Sequence, residues 1–308
     1  MEKKMRNKTL TIEAVCKEKK ALQDRFFHKD EFECEKISGK IIFGDTLEVL
    51  DKLPNSFVDL LIADPPYNLS KTYDSSKFNK KDAQLYAEWF ESWVSRLPRI
   101  MKPNGSLYFC GDWQSSPLYY PILAKYFCVK NRITWEREKG RGAATNWKNN
   151  IEDIYFCTMD EKQYQFHLDR VKVKKKVIAP YRDEEGKAKD WFEENGQKYR
   201  YTAPSNVWTD ITVPYWSMPE NTEHPTQKPE KLIAKLILAS SEEGDMVFDP
   251  FAGSGTTLVT AKKLKRDFCG IEREEGYCLL TAKRLEMADE DTRIQGYEGA
   301  VFLERNSR

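Results

Sequence analysis

The chain predicts an α/β fold, a doubly wound and mostly parallel sheet interrupted by an inserted region, and three observations carry that reading. Short apolar strand runs alternate with helical stripes at both ends of the 308-residue chain. Two of those runs end in turns rich in acidic, proline and glycine residues, Asp64-Pro65-Pro66-Tyr67 and Asp249-Pro250-Phe251-Ala252-Gly253-Ser254-Gly255-Thr256-Thr257. Strand carboxyl ends are where open α/β sheets place their chemistry. Between them, from residue 159 to about 220, the rhythm fades into a polar, aromatic-bearing stretch with many prolines, which reads as a substrate-facing insertion.

In chain order, residues 41–43 and 57–63 are buried-strand candidates, with Leu47, Leu50 and Leu53 at helical spacing between them, a βαβ opening. After the first turn, Leu85, Trp89, Trp93 and Leu97 form a helical stripe across residues 82–101. Lys102-Pro103-Asn104-Gly105 is expected to stop that helix before a strand at 106–110. Strands at 132–135 and 154–158 flank a loop, 136–150, rich in Lys, Arg, Gly and Asn. Regular alternation resumes at Thr226, the expected N-cap of a helix over 228–240 with Pro229 in its first turn. A strand at 246–249, the glycine turn, a helix at 256–264, a strand at 267–272 and a helix at 275–287 complete the sheet. The expected organisation is an amino-terminal extension (1–38), a first half (39–158), an inserted region (159–222), a second half (223–287) and a tail (288–308).

Composition narrows the class. Hydrophobic residues at 40% and aromatics at 13% suffice for a sizeable core. Fifty basic and 49 acidic residues nearly cancel, so attraction to a polyanion must come from local patches. Seven scattered cysteines without a C-x-x-C pair, and only three histidines, argue against a disulfide framework and against a metal site. The lysine-rich amino terminus has no apolar signal core, and nowhere do about eighteen apolar residues run together, so no membrane association and a cytoplasmic setting are expected.

The turn at Asp64 combines a carboxylate, two prolines that remove backbone donors, and an aromatic ring. Such an acceptor-rich site suits a planar substrate bearing an amino group, although an ordinary turn with a buried tyrosine has the same composition. The glycine turn follows a strand and opens a helix, a context in which a ligand approaches backbone near a helix amino terminus. It lacks both the G-x-G-x-x-G spacing and a Walker lysine, so a compact nucleoside ligand fits better than a dinucleotide or a triphosphate. Glu272 ends the next strand, where an acidic side chain accepts from both ribose hydroxyls; a solvated strand-end glutamate is the plain alternative.

These residues carry a family resemblance. Asp-Pro-Pro-Tyr at 64–67, the glycine motif at 249–257 and Gly270-Ile271-Glu272 resemble the motifs of S-adenosylmethionine-dependent DNA amino-methyltransferases. Their order, with the catalytic turn before the recognition region and the cofactor half last, is similar to the β group, as is His224-Pro225-Thr226-Gln227-Lys228-Pro229. The likeness spans residues 41–287 and implies a Rossmann-like methyltransferase sheet with an inserted target-recognition region.

The resemblance implies roles. Asp64 and the Pro65 carbonyl accept the two hydrogens of the exocyclic amine, with Pro66 shaping the turn and Tyr67 stacking on a base flipped out of duplex DNA. For S-adenosylmethionine it implies Asp249 at the methionine ammonium, Thr226 and Lys228 near the carboxylate, and Phe251, Gly253, Ser254, Gly255 and Thr256 around the remainder. Glu272 falls on the ribose and Asp45 near the adenine; Asp45 reads equally as a helix N-cap and Lys228 as a solvated lysine. Candidate DNA contacts are Arg137, Lys139, Arg141, Asn146 and Lys148 in the 136–150 loop, and Lys172, Lys174, Lys175 and Lys176 in the insertion. Aspartate in the first position of the turn favours adenine N6 over cytosine N4, where relatives more often carry serine. A protein-glutamine methyltransferase and a non-catalytic DNA-binding protein are further alternatives. A cognate restriction endonuclease and a homodimer are partners the resemblance allows.

Overall fold

The computed structural model describes residues 7–31, 36–137, 144–178 and 180–304. Nine strands form the main sheet: β1 (Phe26–His28), β2 (Lys40–Phe43), β3 (Val58–Ala63), β4 (Met101–Gly111), β5 (Cys128–Glu136), β6 (Ile151–Thr158), β7 (Val207–Trp208), β8 (Met246–Asp249) and β9 (Asp267–Glu272). Their spatial order is β1-β2-β9-β8-β3-β4-β6-β5-β7. Every neighbouring pair is parallel except those made by β6, which runs against both β4 and β5.

Both faces of the sheet are covered, so its central strands read as mostly apolar runs, broken in β3 by Asp59, which pairs with Lys102. All six residues of β3 are buried, and from Leu60 onward they alternate between two cores. Leu60 and Ile62 join α5 (Glu230–Ser240), α6 (Thr256–Lys263) and α7 (Glu275–Glu290) on one face. Leu61 and Ala63 join α2 (Thr46–Leu50), α3 (Ala83–Val94) and α4 (Ser116–Tyr126) on the other. In the amino-terminal extension, α1 (Ile12–Cys16) packs against α7 and β1 extends the sheet edge.

Several boundaries differ from expectation, three of them with a clear physical cause. The stripe expected to be helical through residue 101 breaks after Val94, and a single turn, Leu97–Ile100, follows. Pro98 has no N–H to give the carbonyl four residues back. Lys102 to Gly105 is not a connecting turn but lies inside β4, where the register against β3 jumps from Val58↔Met101 to Leu60↔Ser106. Helix α5 starts at Glu230, with Pro229 and not Thr226 as its N-cap. Pro229 is extended, and a side chain from outside the helix, the Glu220 carboxylate, accepts from the Glu230 N–H at 2.7 Å.

The insertion and the tail share a second sheet. Strands Phe192–Glu194, Gln197–Thr202 and Val173–Lys176 continue into Val301–Leu303 and Tyr297–Glu298. Its Val173 and Phe302, with Val171 from the turn just before it, pack on Ala234, Leu238 and Ala239 of α5. Among the described residues, no helix is long and apolar enough to cross a membrane.

Candidate active site

The chain leaves β3 toward β4 on one side and leaves β8 toward β9 on the other, although β3 and β8 are neighbours. That reversal is a topological switch point, and the crevice above it is the ligand site of open α/β sheets. Asp64 follows β3 and Asp249 ends β8, so the two sequence motifs open into one cleft, which Tyr67, Lys228, Gly253 and Glu272 also line.

At one end of the cleft Asp64 is tightly engaged. Its Oδ2 accepts from Lys228 Nζ at 2.6 Å, and its Oδ1 accepts from the Tyr67 hydroxyl at 3.0 Å. The Tyr67 hydroxyl also lies 3.1 Å from Glu152 Oε2, and Lys228 Nζ lies 3.2 Å from the same oxygen. Arg137 closes the group, with its guanidinium 2.8 Å from Glu152 Oε1. Two carboxylates thus face two cations. Burial pushes the Asp64 carboxyl up, opposed by the Lys228 ammonium. Burial pulls Lys228 down, but Asp64 and Glu152 outweigh it and hold the ammonium above its ordinary value. The Pro66 carbonyl accepts from the Tyr86 hydroxyl at 3.1 Å, which fixes the turn from behind.

The other end is acidic. Glu272 Oε2 accepts from the Gly253 N–H at 2.7 Å and Oε1 from the Glu274 N–H at 2.8 Å. Burial raises Glu272 to about 8 and Asp249 to about 7; Asp249 Oδ1 accepts from the Phe251 N–H at 2.9 Å. Gly253 and Gly255 have φ of 55° and 75°, the left-handed region that admits glycine readily. Arg284 of α7 braces this turn by donating to the Ser254 carbonyl at 2.7 Å and to Thr256 Oγ1 at 3.1 Å. His224, pulled down to about 3 by burial, is a neutral ring packed edge-on against Tyr277.

The structure brings most of the expected residues together. Asp45, Asp64, Pro65, Pro66, Tyr67, Thr226, Lys228, Asp249, Phe251, Gly253, Ser254, Thr256 and Glu272 all line the cleft, and Gly255 is the N-cap of α6. Asp45 is also the N-cap of α2, accepting from the Leu47 N–H at 2.9 Å. Lys228 is not the solvated lysine of the plain alternative, being only 6% exposed. Arg137, expected on phosphates, turns inward to Glu152. Lys139 and Arg141 lie outside the described residues. Asn146 and Lys148 are exposed on the loop that enters β6, beside Trp147, which is 91% exposed. Lys172, Lys174, Lys175 and Lys176 sit on or beside the second sheet and do not line the cleft; Lys172 pairs with Asp169 at 2.5 Å and Lys174 with Glu194. Glu152 was missed by sequence reasoning, which began its strand at Ile154, past the polar Glu152-Asp153 pair.

Comparison with known proteins identifies a family and a shared fold. A family model described as DNA methylase, for N6 and N4 methyltransferases, matches residues 58–283. The DNA adenine methyltransferase YhdJ of Escherichia coli (strain K12) is 36% identical over 250 residues, 80% of this chain and 83% of that protein. The type II methyltransferase M.HpaI of Haemophilus parainfluenzae is 34% identical over 255 residues, 80% of this chain and 74% of that protein. Among solved structures, the PvuII cytosine-N4-specific DNA methyltransferase shares the fold, with a TM-score of 0.60 and 18% identity across 82% of this chain and 90% of that one. The M1.HpyAVI–SAM complex shares it with a TM-score of 0.55 and 24% identity across 80% and 98%.

Proposed function

This chain belongs to the DNA methylase family, and from that premise we propose that it transfers the methyl group of S-adenosylmethionine to the N6 amine of adenine at specific sites in double-stranded DNA. The observation that carries the reading is the meeting of an amine-accepting turn and an acidic cradle in one cleft across the switch point. The name of the adenine-specific relative supports N6 over N4.

The acidic end fits the cofactor by its chemistry. Asp249 and Glu272 are buried carboxyls with raised pKa values, and among the described residues no cation is bonded to either, a setting that favours a ligand bearing an ammonium and a sulfonium. Asp249 would hold the ammonium, Glu272 the ribose hydroxyls and Thr226 the carboxylate, while the positive φ at Gly253 lets backbone approach closely; Lys228, expected at that carboxylate from the sequence, is instead bonded to Asp64 at the acceptor end. The bound cofactor supplies an electrophilic methyl group.

The chain's own residues prepare the acceptor. An exocyclic amine is a poor nucleophile because its lone pair is delocalised into the ring. Asp64 accepts one amine hydrogen and the Pro65 carbonyl the other, which localises that pair on nitrogen and aims it. Tyr67 stacks on the base and keeps Asp64 oriented through its hydroxyl. Because the amine is otherwise paired inside the duplex, the base leaves the stack to reach the cleft, at a cost of about a few kcal/mol. No enzyme nucleophile is needed. The proposal extends to a cognate restriction endonuclease in the same cell.

The test is transfer of labelled methyl from S-adenosylmethionine to duplex DNA, with the product nucleoside identified. N6-methyladenine supports the proposal. N4-methylcytosine moves the target base, label on protein supports a protein-glutamine methyltransferase, and DNA binding without transfer supports a non-catalytic module.

A further inference from the structure

Lys228 stands where the target amine has to bind. Its Nζ donates to Asp64 Oδ2 at 2.6 Å and lies 5.3 Å from the centroid of the Tyr67 ring, the place of a donor nitrogen on a base under that ring. An amine cannot give its hydrogen to that oxygen until the ammonium yields it. A side chain only 6% exposed cannot shed a carboxylate partner without large cost unless another is at hand.

Glu152 is the other partner. It enters the cleft because β6 is reversed, which brings the start of that strand beside the carboxyl ends of its neighbours, Gly111 opposite Asp153. Its Oε2 lies 3.2 Å from Lys228 Nζ, and Arg137 holds its Oε1 at 2.8 Å. Tyr67 has one hydroxyl hydrogen for two acceptors, Asp64 Oδ1 at 3.0 Å and Glu152 Oε2 at 3.1 Å.

Resting on the methyl-transfer reading above, we infer that Glu152 is a positioning residue of the acceptor site that takes the Lys228 ammonium from Asp64 when the base enters. With the ammonium on Glu152, the Tyr67 hydrogen turns to Asp64 Oδ1 and keeps that carboxylate oriented. Oδ2 is thereby released to the amine. Arg137 fixes Glu152 so that Lys228 moves and the carboxylate does not. Lys228 thus excludes the target while it sits on Asp64, and Glu152 sets how readily it leaves.

The experiment compares wild type, Glu152→Gln, Glu152→Asp and Lys228→Met/Glu152→Gln in single-turnover transfer at saturating cofactor, alongside cofactor affinity and thermal midpoint. Losing a charged hydrogen-bond partner should slow Glu152→Gln about tenfold or more while cofactor affinity stays within about twofold. Glu152→Asp should recover part of the rate. The double variant should transfer faster than Glu152→Gln, because no ammonium remains on Asp64; a scaffolding glutamate would make the second substitution neutral or harmful. A Glu152→Gln rate within about twofold of wild type, or a double variant no faster than Glu152→Gln, overturns the inference and leaves the methylase reading intact. A wild type that transfers no methyl to DNA overturns both.

Discussion

Asp64 holds the Lys228 ammonium at 2.6 Å and, in the proposed reaction, also accepts the target amine. Asp64→Ala leaves the acidic end of the cleft untouched, so methyl transfer should fall by at least about 10²-fold, the scale of losing one transition-state hydrogen-bond partner, while cofactor binding by calorimetry persists. Retained turnover would remove Asp64 from the mechanism. At the other end, Asp249 at about 7 and Glu272 at about 8 are both raised by burial. Their ionised forms suit a cationic ligand, so cofactor affinity should strengthen as pH rises from about 6 to 8, and Asp249→Asn should flatten that profile. Stability runs the opposite way. Between the ordinary carboxyl value of 4.5 and about 8, Glu272 keeps a proton in the folded protein that the unfolded chain has lost. The folded state therefore binds more protons there, and stability without added cofactor declines across that window. Thermal midpoints should show a shallower decline in Glu272→Gln than in wild type; equal slopes would mean that Glu272 ionises normally.

Elements decide what a sequence can announce. Strands β3, β8 and β9 deliver their chemistry at their carboxyl ends, so a run of buried residues followed by Asp64, Asp249 or Glu272 was legible in order along the chain. Strand β6 is reversed and presents its amino end, so the polar pair Glu152-Asp153 fell outside the strand that the apolar run marks, and the site lost a carboxylate. Nothing local marks a strand as antiparallel; its direction is set by the neighbours it pairs with. The start of α5 was hidden for a similar reason, because the Glu220 side chain that caps Glu230 comes from the preceding loop. The glycine turn is the opposite case, since its constraint is written in the residues themselves. A Cβ on Gly255 would lie 2.1 Å from Thr281 Cγ2 of α7, at a φ of 75°. Gly255→Ala should destabilise the protein by about 1–3 kcal/mol through overpacking and weaken cofactor affinity, both read by melting with and without cofactor. An unchanged midpoint would show that the turn relaxes freely.

For the whole molecule, a formal net charge of +1 gives DNA no overall attraction, so affinity must be assembled from local cations, and salt dependence measures how many. Each phosphate neutralised by a protein cation releases counterions and adds roughly 0.9 to the slope of log affinity against log salt. Position makes the expected contributions unequal. Lys148 is exposed on the loop leading into β6, directly before Asn149, which lines the cleft. Lys172 and Lys174 sit on or beside the second sheet and do not line the cleft. Lys148→Ala should therefore lower the slope by about one unit and weaken binding similarly across DNA sequences, the behaviour of a phosphate contact. Lys172→Ala and Lys174→Ala should each change it by less than roughly half as much. Binding isotherms on one duplex at several salt concentrations separate these outcomes. A larger change at Lys172 or Lys174 than at Lys148 would place the phosphate backbone along the second sheet and away from the loop. DNA would then approach over α5, not over the carboxyl edge of the main sheet.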